Sequence, residues 1–445
     1  MAASDSGIRS SSRFTVLVLI FALAGAGSML YYHLGLFIPR VLELRAARGL
    51  GNGYAFGDDF YPIWLVAHQW RVEHLDPYSS EMTRQIQTGL FGRPLDPRNP
   101  SDPSVDYRQF AYPGFVELLL WPSAYLGFPQ LRVVLAVLLP VLTVISLWLW
   151  MLALNWRLDP LWFAVLASLA LCNYEVLEAL FAEQPGLIVG LLLASAALAL
   201  RRDRLLLAGA LLALTLIKPQ MTLLGAAFLV LWSFSDRRRA PLWIGFLSTT
   251  LLLAAASLWI WPRWLGQWLN VLLGYHRYAT PPLVALLPGP QLGPYVGPAA
   301  ILVLLGVSAA LAWRKRRARP ESLDFWLTLS LLLAITSVSL LPGQAIYDHV
   351  ILLPGIFLLL RYRRELHNAG RVSRILLAVG AVILLWPWVA AFGLLAVRPL
   401  LAAGLFDSSA VFALPIRTAA SLPFAVLALL VCAARINLSG DPEVS

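Results

Sequence analysis

The chain has 445 residues, of which 59% are hydrophobic and only 13% are charged. This balance excludes an ordinary soluble domain, in which about 25% of residues are charged. The formal net charge of +10 would suit a nucleic-acid binder, but the basic residues cluster in short loops between apolar runs. These clusters lie at 201–204, 237–239, 314–319 and 361–374. Such clusters are typical of cytoplasmic loops of membrane proteins, so we expect no nucleic-acid partner and an integral protein of the plasma (inner) membrane.

The first apolar run covers residues 14–37 and follows Arg9 and Arg13. Roughly 20 apolar residues suffice to cross a hydrocarbon core of about 30 Å. The small residues at 22–28 resemble a signal-peptide cleavage site, but the run continues well beyond them. We therefore predict a retained first span that leaves the cytoplasm.

A large polar loop, residues 38–112, follows the first span and holds nine of the 24 Asp and Glu residues. Within it, the acidic pair Asp58-Asp59 directly precedes Phe60-Tyr61. A carboxylate at the mouth of a helical bundle suits chemistry at the membrane surface. We therefore interpret this segment as an extracytoplasmic catalytic loop.

The rest of the chain, residues 113–434, is predicted to form a helical bundle. Spans are expected near 131–154, 160–174, 185–200, 204–218, 220–235, 241–261, 297–314, 324–341, 345–361, 375–396 and 416–434. With the first span these make about 12 transmembrane helices, both termini inside, and a short cytoplasmic tail at 435–445. Residues 113–128 form either a short span or a half-inserted hairpin, because Pro122 interrupts them. The predicted fold class is an all-α polytopic membrane protein with a single domain over residues 1–445.

Lys218 is one of only two lysines, and it ends an apolar stretch immediately before Pro219. An ionisable group at such a place costs a few kcal/mol (about 2.5–3.5 at a span centre) unless it reaches the interface or a partner. One interpretation is a snorkelling anchor at the membrane surface. The other is a cation directed at a lipid-linked phosphate from inside a cavity.

Sequence motifs for other chemistries are missing. The chain has no Walker A loop, dinucleotide fingerprint, zinc motif or Gly-x-Ser-x-Gly elbow. Its two cysteines, Cys172 and Cys432, lie in apolar stretches and indicate neither a disulfide framework nor a thiolate site. We therefore expect no metal and no cofactor.

Several short motifs occur in an order that is similar to one known family. They are Glu183-Gln184-Pro185-Gly186, the basic loop 201–204, Ala208-Gly209 and Ile217-Lys218-Pro219, preceded by Asp59-Phe60-Tyr61, Asp76-Pro77-Tyr78 and Tyr112-Pro113-Gly114-Phe115, with a weaker echo at Tyr347-Asp348-His349. Together they resemble the glycosyltransferase family 87 (GT87) polyprenol-phosphate-mannose-dependent α-mannosyltransferases of the GT-C superfamily. Two positions depart from that pattern: Glu183 stands where the family usually has Gly, and Gly114 replaces a second Pro.

The resemblance implies a GT-C-like bundle that moves a sugar, mannose, from a polyprenyl-phosphate donor to a hydroxyl of a glycolipid or glycan on the outer face. A phosphate leaving group needs positive charge rather than a general acid, and the acceptor needs a base within about 3 Å. The implied base is Asp59, with Asp58 as the alternative, and displacement inverts the sugar carbon. The implied phosphate-binding residues are Lys218, His349, Arg277 and His276. The residues implied to bind the acceptor or the sugar are Glu183, Gln184, Glu175, Tyr61 and Tyr112.

Each assignment has a structural alternative. His349 would also serve as a helix-start hydrogen-bonding group, Glu175 as part of a solvated turn, and His276-Arg277 as an interfacial anchor. Two other functions stay open as well: a GT-C enzyme for a different lipid-linked sugar, or a lipid or glycan transporter. A transporter would use Lys218 and the acidic turn as its path, and it would survive neutralisation of Asp59 unless the loop gates that path.

Overall fold

The computed structural model describes residues 12–47, 49–50, 57–96, 98–99, 102, 108–275, 280–285, 293–343, 345–406 and 408–436, and every regular element in these ranges is a helix. The first apolar run is helical throughout, as α1 (Ser12–Tyr31), a π-helical stretch (Tyr32–Phe37) and α2 (Ile38–Ala46). Together they form one candidate span, Arg13–Ala46. The helix therefore continues past the predicted end at residue 37.

The outer loop is more regular than its polar composition suggests. It contains α3 (Tyr61–Glu73) and α4 (Ser80–Phe91), and α5 (Phe115–Leu120) follows with a 3-10 turn (Trp121–Tyr125). Ile63, Met82, Ile86 and Phe110 are fully buried and belong to the same apolar core as the helices of the bundle. The loop is thus a folded cap and not an irregular connection.

Before the next helix begins at Phe128, the segment 113–128 contains only 11 helical residues, in α5 and the turn after it. At about 1.5–2 Å per residue they cover at most about 22 Å, too little for a hydrocarbon core of about 30 Å. The change of helix type occurs at Pro122, which lacks a backbone donor and restricts the preceding residue. As a continuous helix this segment does not cross the membrane.

Among the described residues, the remaining 17 helices include one at each of the 11 predicted spans and six others that match none of them. They are α6 (Phe128–Ala153), α7 (Pro160–Leu171), α8 (Tyr174–Phe181), α9 (Gly186–Arg201), α10 (Leu205–Leu214), α11 (Pro219–Phe234), α12 (Ala240–Ile260), α13 (Trp264–Tyr275), α14 (Pro282–Ala285), α15 (Gly293–Lys315), α16 (Leu323–Ser339), α17 (Leu353–Arg361), α18 (Arg363–Asn368), α19 (Arg371–Val397), α20 (Ala403–Phe406), α21 (Ser409–Phe412) and α22 (Leu422–Arg435). Short 3-10 helices lie at Thr215–Ile217, Arg237–Arg239, Ile346–Leu352, Arg398–Leu400, Leu414–Ile416 and Ala419–Ser421.

Length separates these helices into two groups. Within the described residues, 6 helices are long and apolar enough to cross a membrane, or up to 7 if α7 and α8, which are bent by 62° at their break, count as one. Four more apolar helices, α9, α10, α11 and α16, have only 10–17 residues. The polytopic all-α fold is therefore confirmed, whereas the number of 12 crossings stays a prediction.

The short apolar helices form the centre of the bundle. Nearly every residue of α16 is buried, and most of α9 is buried as well. The long helices instead expose many large apolar side chains, such as Leu252 on α12 and Val382 on α19. A helix that is apolar on all sides belongs inside a bundle or in lipid, and here the short ones lie inside. Their ends therefore lie within protein, where polar side chains can meet.

Two glycines bring α10 and α12 into backbone contact. A Cβ atom on Gly209 would overlap the carbonyl oxygen of Leu242, and one on Gly245 would overlap that of Leu206. Small residues allow membrane helices to approach this closely. The contact fixes α10, and with it the position of Lys218 just beyond its end.

Candidate active site

The acidic pair of the outer loop lies directly against the bundle. The amide of Gly57 donates to the carbonyl oxygen of Phe181 at 2.9 Å, and that of Asp59 donates to Ala182 at 3.2 Å. Gly57 has φ +84°, and a Cβ atom there would overlap the carboxylate of Glu183. A glycine is needed for both reasons. The loop therefore folds down onto the end of α8, as the proposed chemistry requires.

Arg108 joins the two aspartates. Its Nη2 donates to Asp58 Oδ2 at 2.9 Å, and its Nη1 donates to Asp59 Oδ1. All three side chains are largely buried. Arg108 has φ +46°, a region that few residues other than glycine occupy. Sequence reasoning missed this residue because nothing distinguishes Tyr107-Arg108-Gln109 from any other loop segment with an arginine.

Gln184 connects the aspartates to the buried lysine. Its Nε2 donates to Asp59 Oδ2, and its Oε1 accepts from Lys218 Nζ at 3.0 Å. Because a carboxylate only accepts and an ammonium only donates, this orientation of the amide is the one that satisfies both neighbours. Lys218 is 6% exposed, so it is not a snorkelling anchor at the membrane surface.

Asp348 is the counter-ion of Lys218. The lysine Nζ donates to both carboxylate oxygens, at 2.7 and 2.9 Å, and Asp348 is only 1% exposed. A Cβ atom on Gly186 would lie 2.6 Å from Asp348 Oδ1, so the glycine allows the carboxylate to approach the start of α9. Negative charge is favourable at a helix N-terminus.

Asp348 belongs to the motif Tyr347-Asp348-His349, but the sequence predicted no role for it. The available signal was chemical: a lysine buried in an apolar bundle needs a partner, and few carboxylates lie among the apolar segments after residue 218. The separation of 130 residues between the two partners hid the pairing.

We refer to these six residues as the polar network: Asp58, Asp59, Arg108, Gln184, Lys218 and Asp348. With its charged groups ionised, the network holds two cations and three carboxylates and has a net charge of −1. It runs without a break from the outer loop to the centre of the bundle. Thus the structure brings together Asp58, Asp59, Gln184 and Lys218 from the predicted set.

Glu183 lies beside this network in an unusual backbone conformation. Its φ is +53° and it is 2% exposed, and its Oε2 has no hydrogen-bond partner within the described residues. Burial raises the pKa of its carboxyl to about 7. Glycine adopts a positive φ without steric cost, so the conformation accounts for glycine at this position in the family pattern.

Glu175 and His349 are buried on two elements that pack together, α8 and the 3-10 helix Ile346–Leu352. Within the described part of the chain, Glu175 Oε2 and His349 Nδ1 both lack a hydrogen-bond partner. Glu175 therefore does not belong to a solvated turn, which corrects that alternative. Both side chains lie on elements next to the network.

The two predicted tyrosines make contacts in the region of the outer loop. The Tyr61 ring packs against Phe128, with centroids 4.9 Å apart, and lines a cleft between α3 and α4. The Tyr112 carbonyl accepts from the Tyr78 hydroxyl at 2.7 Å. His276 and Arg277 lie outside the described residues.

This arrangement combines a carboxylate pair at the mouth of the bundle with a lysine behind it. Across the described ranges, no cluster of three or more His, Cys, Asp or Glu side chains is arranged to hold a metal ion. The geometry suits proton removal at one end and stabilisation of an anion at the other.

Comparison with models of protein families identifies a family for this chain. The model of glycosyltransferase family 87 matches residues 110–342, just over half of the chain. Gln184 and Lys218 lie inside the matched region, Asp58, Asp59 and Arg108 precede it, and Asp348 follows it. A search of curated proteins found no match.

Proposed function

Because this chain belongs to glycosyltransferase family 87, we propose that it transfers a sugar, mannose, from a polyprenyl-phosphate donor to an acceptor hydroxyl, with inversion, on the outer face of the membrane. Membership makes the chain a transferase, so a transporter no longer competes as the main function. The donor, the sugar, the GT-C type of bundle and a glycolipid or glycan acceptor rest on the sequence resemblance described above. The outer face rests on the basic clusters, which favour a cytoplasmic location for the opposite loops.

One observation supports the proposal most strongly: the polar network places Asp59 and Lys218 on the two sides of Gln184. Asp59 is the general base in our proposal, and Asp58 is the alternative on the same guanidinium. Lys218 is the buried cation of the network, and in our proposal it stabilises the lipid-linked phosphate. The residues that the chemistry requires are thus in contact within one buried cluster.

The reaction that we propose is a direct displacement. The acceptor hydroxyl gives its proton to Asp59, its oxygen forms a bond to the anomeric carbon, and the bond from that carbon to the phosphate oxygen breaks. The electron pair of the broken bond leaves with the polyprenyl phosphate, which gains one negative charge. Attack on the face opposite the leaving group inverts a β-linked donor to an α-linked product.

The polar network can balance this shift of charge. When Asp59 takes up the proton, the network loses one negative charge as the phosphate gains one. Arg108 then has one carboxylate partner fewer and becomes available to the new anion. Preorganised cations of this kind are often the largest contribution to transition-state stabilisation.

The experiment uses membranes that overproduce the chain, polyprenyl-phospho-mannose and an endogenous lipid extract. Release of polyprenyl phosphate and formation of a mannosylated product are measured for wild type, Asp59→Asn and Asp58→Asn. Asp236→Asn, on an exposed loop residue far from the network in sequence, is the matched control. We expect both signals in wild type and control and neither in Asp59→Asn.

Three results would change this proposal. If Asp58→Asn is inactive and Asp59→Asn is active, the base is Asp58. If wild type leaves the mannose donor intact but consumes another lipid-linked sugar, the alternative sugar is correct. Wild-type rates in both Asn variants would eliminate the acidic pair as the source of the base.

A further inference from the structure

A cavity of about 700 Å³ lies between α17, α18, α19 and α22, and it shares no residue with the polar network. Its walls are apolar and come mainly from α19 and α22, including Leu377, Leu384 and Leu429. Its polar lining consists of Arg363, Arg364, His367 and Asn368, all on α18. The cavity is thus an apolar chamber with cations from a single element.

The wall of the cavity is accessible from outside the bundle. Both α19 and α22 belong to candidate spans. The lining residues Ala381 and Leu385 on α19 are exposed. In a membrane, exposed apolar side chains on a spanning helix face lipid. An acyl chain therefore has a lateral path into the cavity.

The cations of α18 line an apolar cavity, whereas two cations of the other basic clusters have side-chain partners. Arg239 lies 4.2 Å from the ring centroid of Trp232, and Lys315 pairs with Asp324 at 2.7 Å. In the α18 cluster, Arg364 and His367 are exposed, and Arg363 donates to the carbonyl oxygen of Leu360 at 2.7 Å. Glu365 also lies on α18 but does not line the cavity.

We propose that this cavity binds one anionic phospholipid of the cytoplasmic leaflet. One of its two acyl chains lies between α19 and α22, and its phosphate lies at Arg363, Arg364 and His367. The basic residues at 361–374 are expected on the cytoplasmic side, and basic pockets between membrane helices on that side suit anionic lipid head groups. The bound lipid fills the space between the outer helices and the core of the bundle.

The test counts bound lipid directly. The full-length chain is purified in detergent, stripped of lipid and incubated with phosphatidylglycerol or phosphatidylcholine of identical acyl chains. Bound lipids are then counted by native mass spectrometry. The test variant is Arg363→Gln/Arg364→Gln, and the control is Arg237→Gln/Arg238→Gln, which removes two exposed charges elsewhere. We expect one phosphatidylglycerol on wild type and control, and at least tenfold less on the test variant and for phosphatidylcholine.

A second variant tests the apolar part with every charge intact. Ala381→Phe places a ring into the cavity from an exposed position, and it should also lose phosphatidylglycerol at least tenfold. Equal retention of both lipids by wild type would overturn the head-group assignment. Full retention by the arginine variant or by Ala381→Phe would overturn the location. The count does not depend on glycosyl transfer, so the lipid site and the proposed enzyme activity fail or succeed separately.

Discussion

At the scale of single residues, Lys218 is held in place by three hydrogen bonds. It is buried and bonded to both Asp348 oxygens and to Gln184. Removing one partner of a buried ion pair leaves an uncompensated charge and costs about 3–5 kcal/mol. We expect Lys218→Met to lower the free energy of unfolding by that amount, and the double variant Lys218→Met/Asp348→Asn to recover part of it.

The other lysine of the chain provides the control for this prediction. Lys315 pairs with Asp324 at the same distance of 2.7 Å, but both side chains are exposed. Exposed pairs contribute about 0–1 kcal/mol. Thermal unfolding in detergent should therefore change little for Lys315→Met. Similar losses for the two lysine variants would contradict the buried pair.

Arg108 should be sensitive even to a substitution that keeps its charge. Its guanidinium contacts two aspartates through different nitrogens, a geometry that lysine does not reproduce. A lost hydrogen bond to a charged group costs about 1.5–3 kcal/mol, so Arg108→Lys should lower kcat/KM roughly ten- to hundredfold. Arg98→Lys, in the same loop, is the control for transferase assays. An unchanged kcat/KM in Arg108→Lys would remove Arg108 from the site.

Glu183 should make stability depend on pH near neutrality. Burial raises its pKa to about 7 in the folded protein, above the value of about 4.3 for an unfolded glutamate. The folded state therefore binds more protons between these values, and its stability falls as pH rises through about 7. In Glu183→Gln, the unfolding midpoint should depend less on pH between pH 5 and 8 than it does in wild type. The exposed Glu73→Gln should leave the slope unchanged; parallel curves for all three proteins would contradict the assignment.

At the scale of helices, the contact between α10 and α12 should tolerate no added atom. Gly209→Ala would place a methyl group into the backbone of α12, and overpacking costs about 1–3 kcal/mol. Gly306→Ala on α15 meets nothing within 4 Å and should be neutral or stabilising by about 0.5–1 kcal/mol, because alanine favours a helix. Unfolding midpoints that move in opposite directions would confirm the contact. Equal shifts would contradict it.

The helices themselves were largely predictable, because their limits are local. Arg, Gly and Pro bound the apolar runs, so the span predicted at 241–261 is found as Ala240–Ile260. The positions of helices in the bundle were not predictable in the same way. Hydropathy is similar for α16 inside and α12 outside, so it does not reveal which helix is buried.

The residues of the candidate site also differ in whether the local sequence identifies them. Asp58, Asp59, Gln184 and Lys218 were predicted because they stand in short motifs or in unusual apolar surroundings. Arg108 has no such local sign, and it finds its aspartates 49 and 50 residues away. Pairing across such distances depends on the folded bundle and leaves no pattern in a single sequence.

For the whole molecule, the main prediction is which loops lie on each side of the membrane. With Cys172 and Cys432 replaced by Ser, single cysteines are introduced at the exposed positions Thr88 and Arg237. An impermeant maleimide should label Thr88→Cys on intact cells and Arg237→Cys only after permeabilisation, because the basic loop is expected inside. The reverse labelling would invert the topology and move the proposed site to the other face.

The pairing of Lys218 with Asp348 also has a consequence for how the chain is made. Synthesis proceeds from the N-terminus, so the lysine enters the membrane 130 residues before its counter-ion exists. Until Asp348 has been added, the ammonium group of Lys218 stays among apolar helices without its carboxylate partner. In a chain that stops before residue 348, Lys218 never gains this partner. The half-made protein should therefore be short-lived, and a ribosome that stalls after Lys218 would expose it to membrane proteases. The α9–α11 region therefore reaches its final structure only after the ribosome has added Asp348, 130 residues after Lys218.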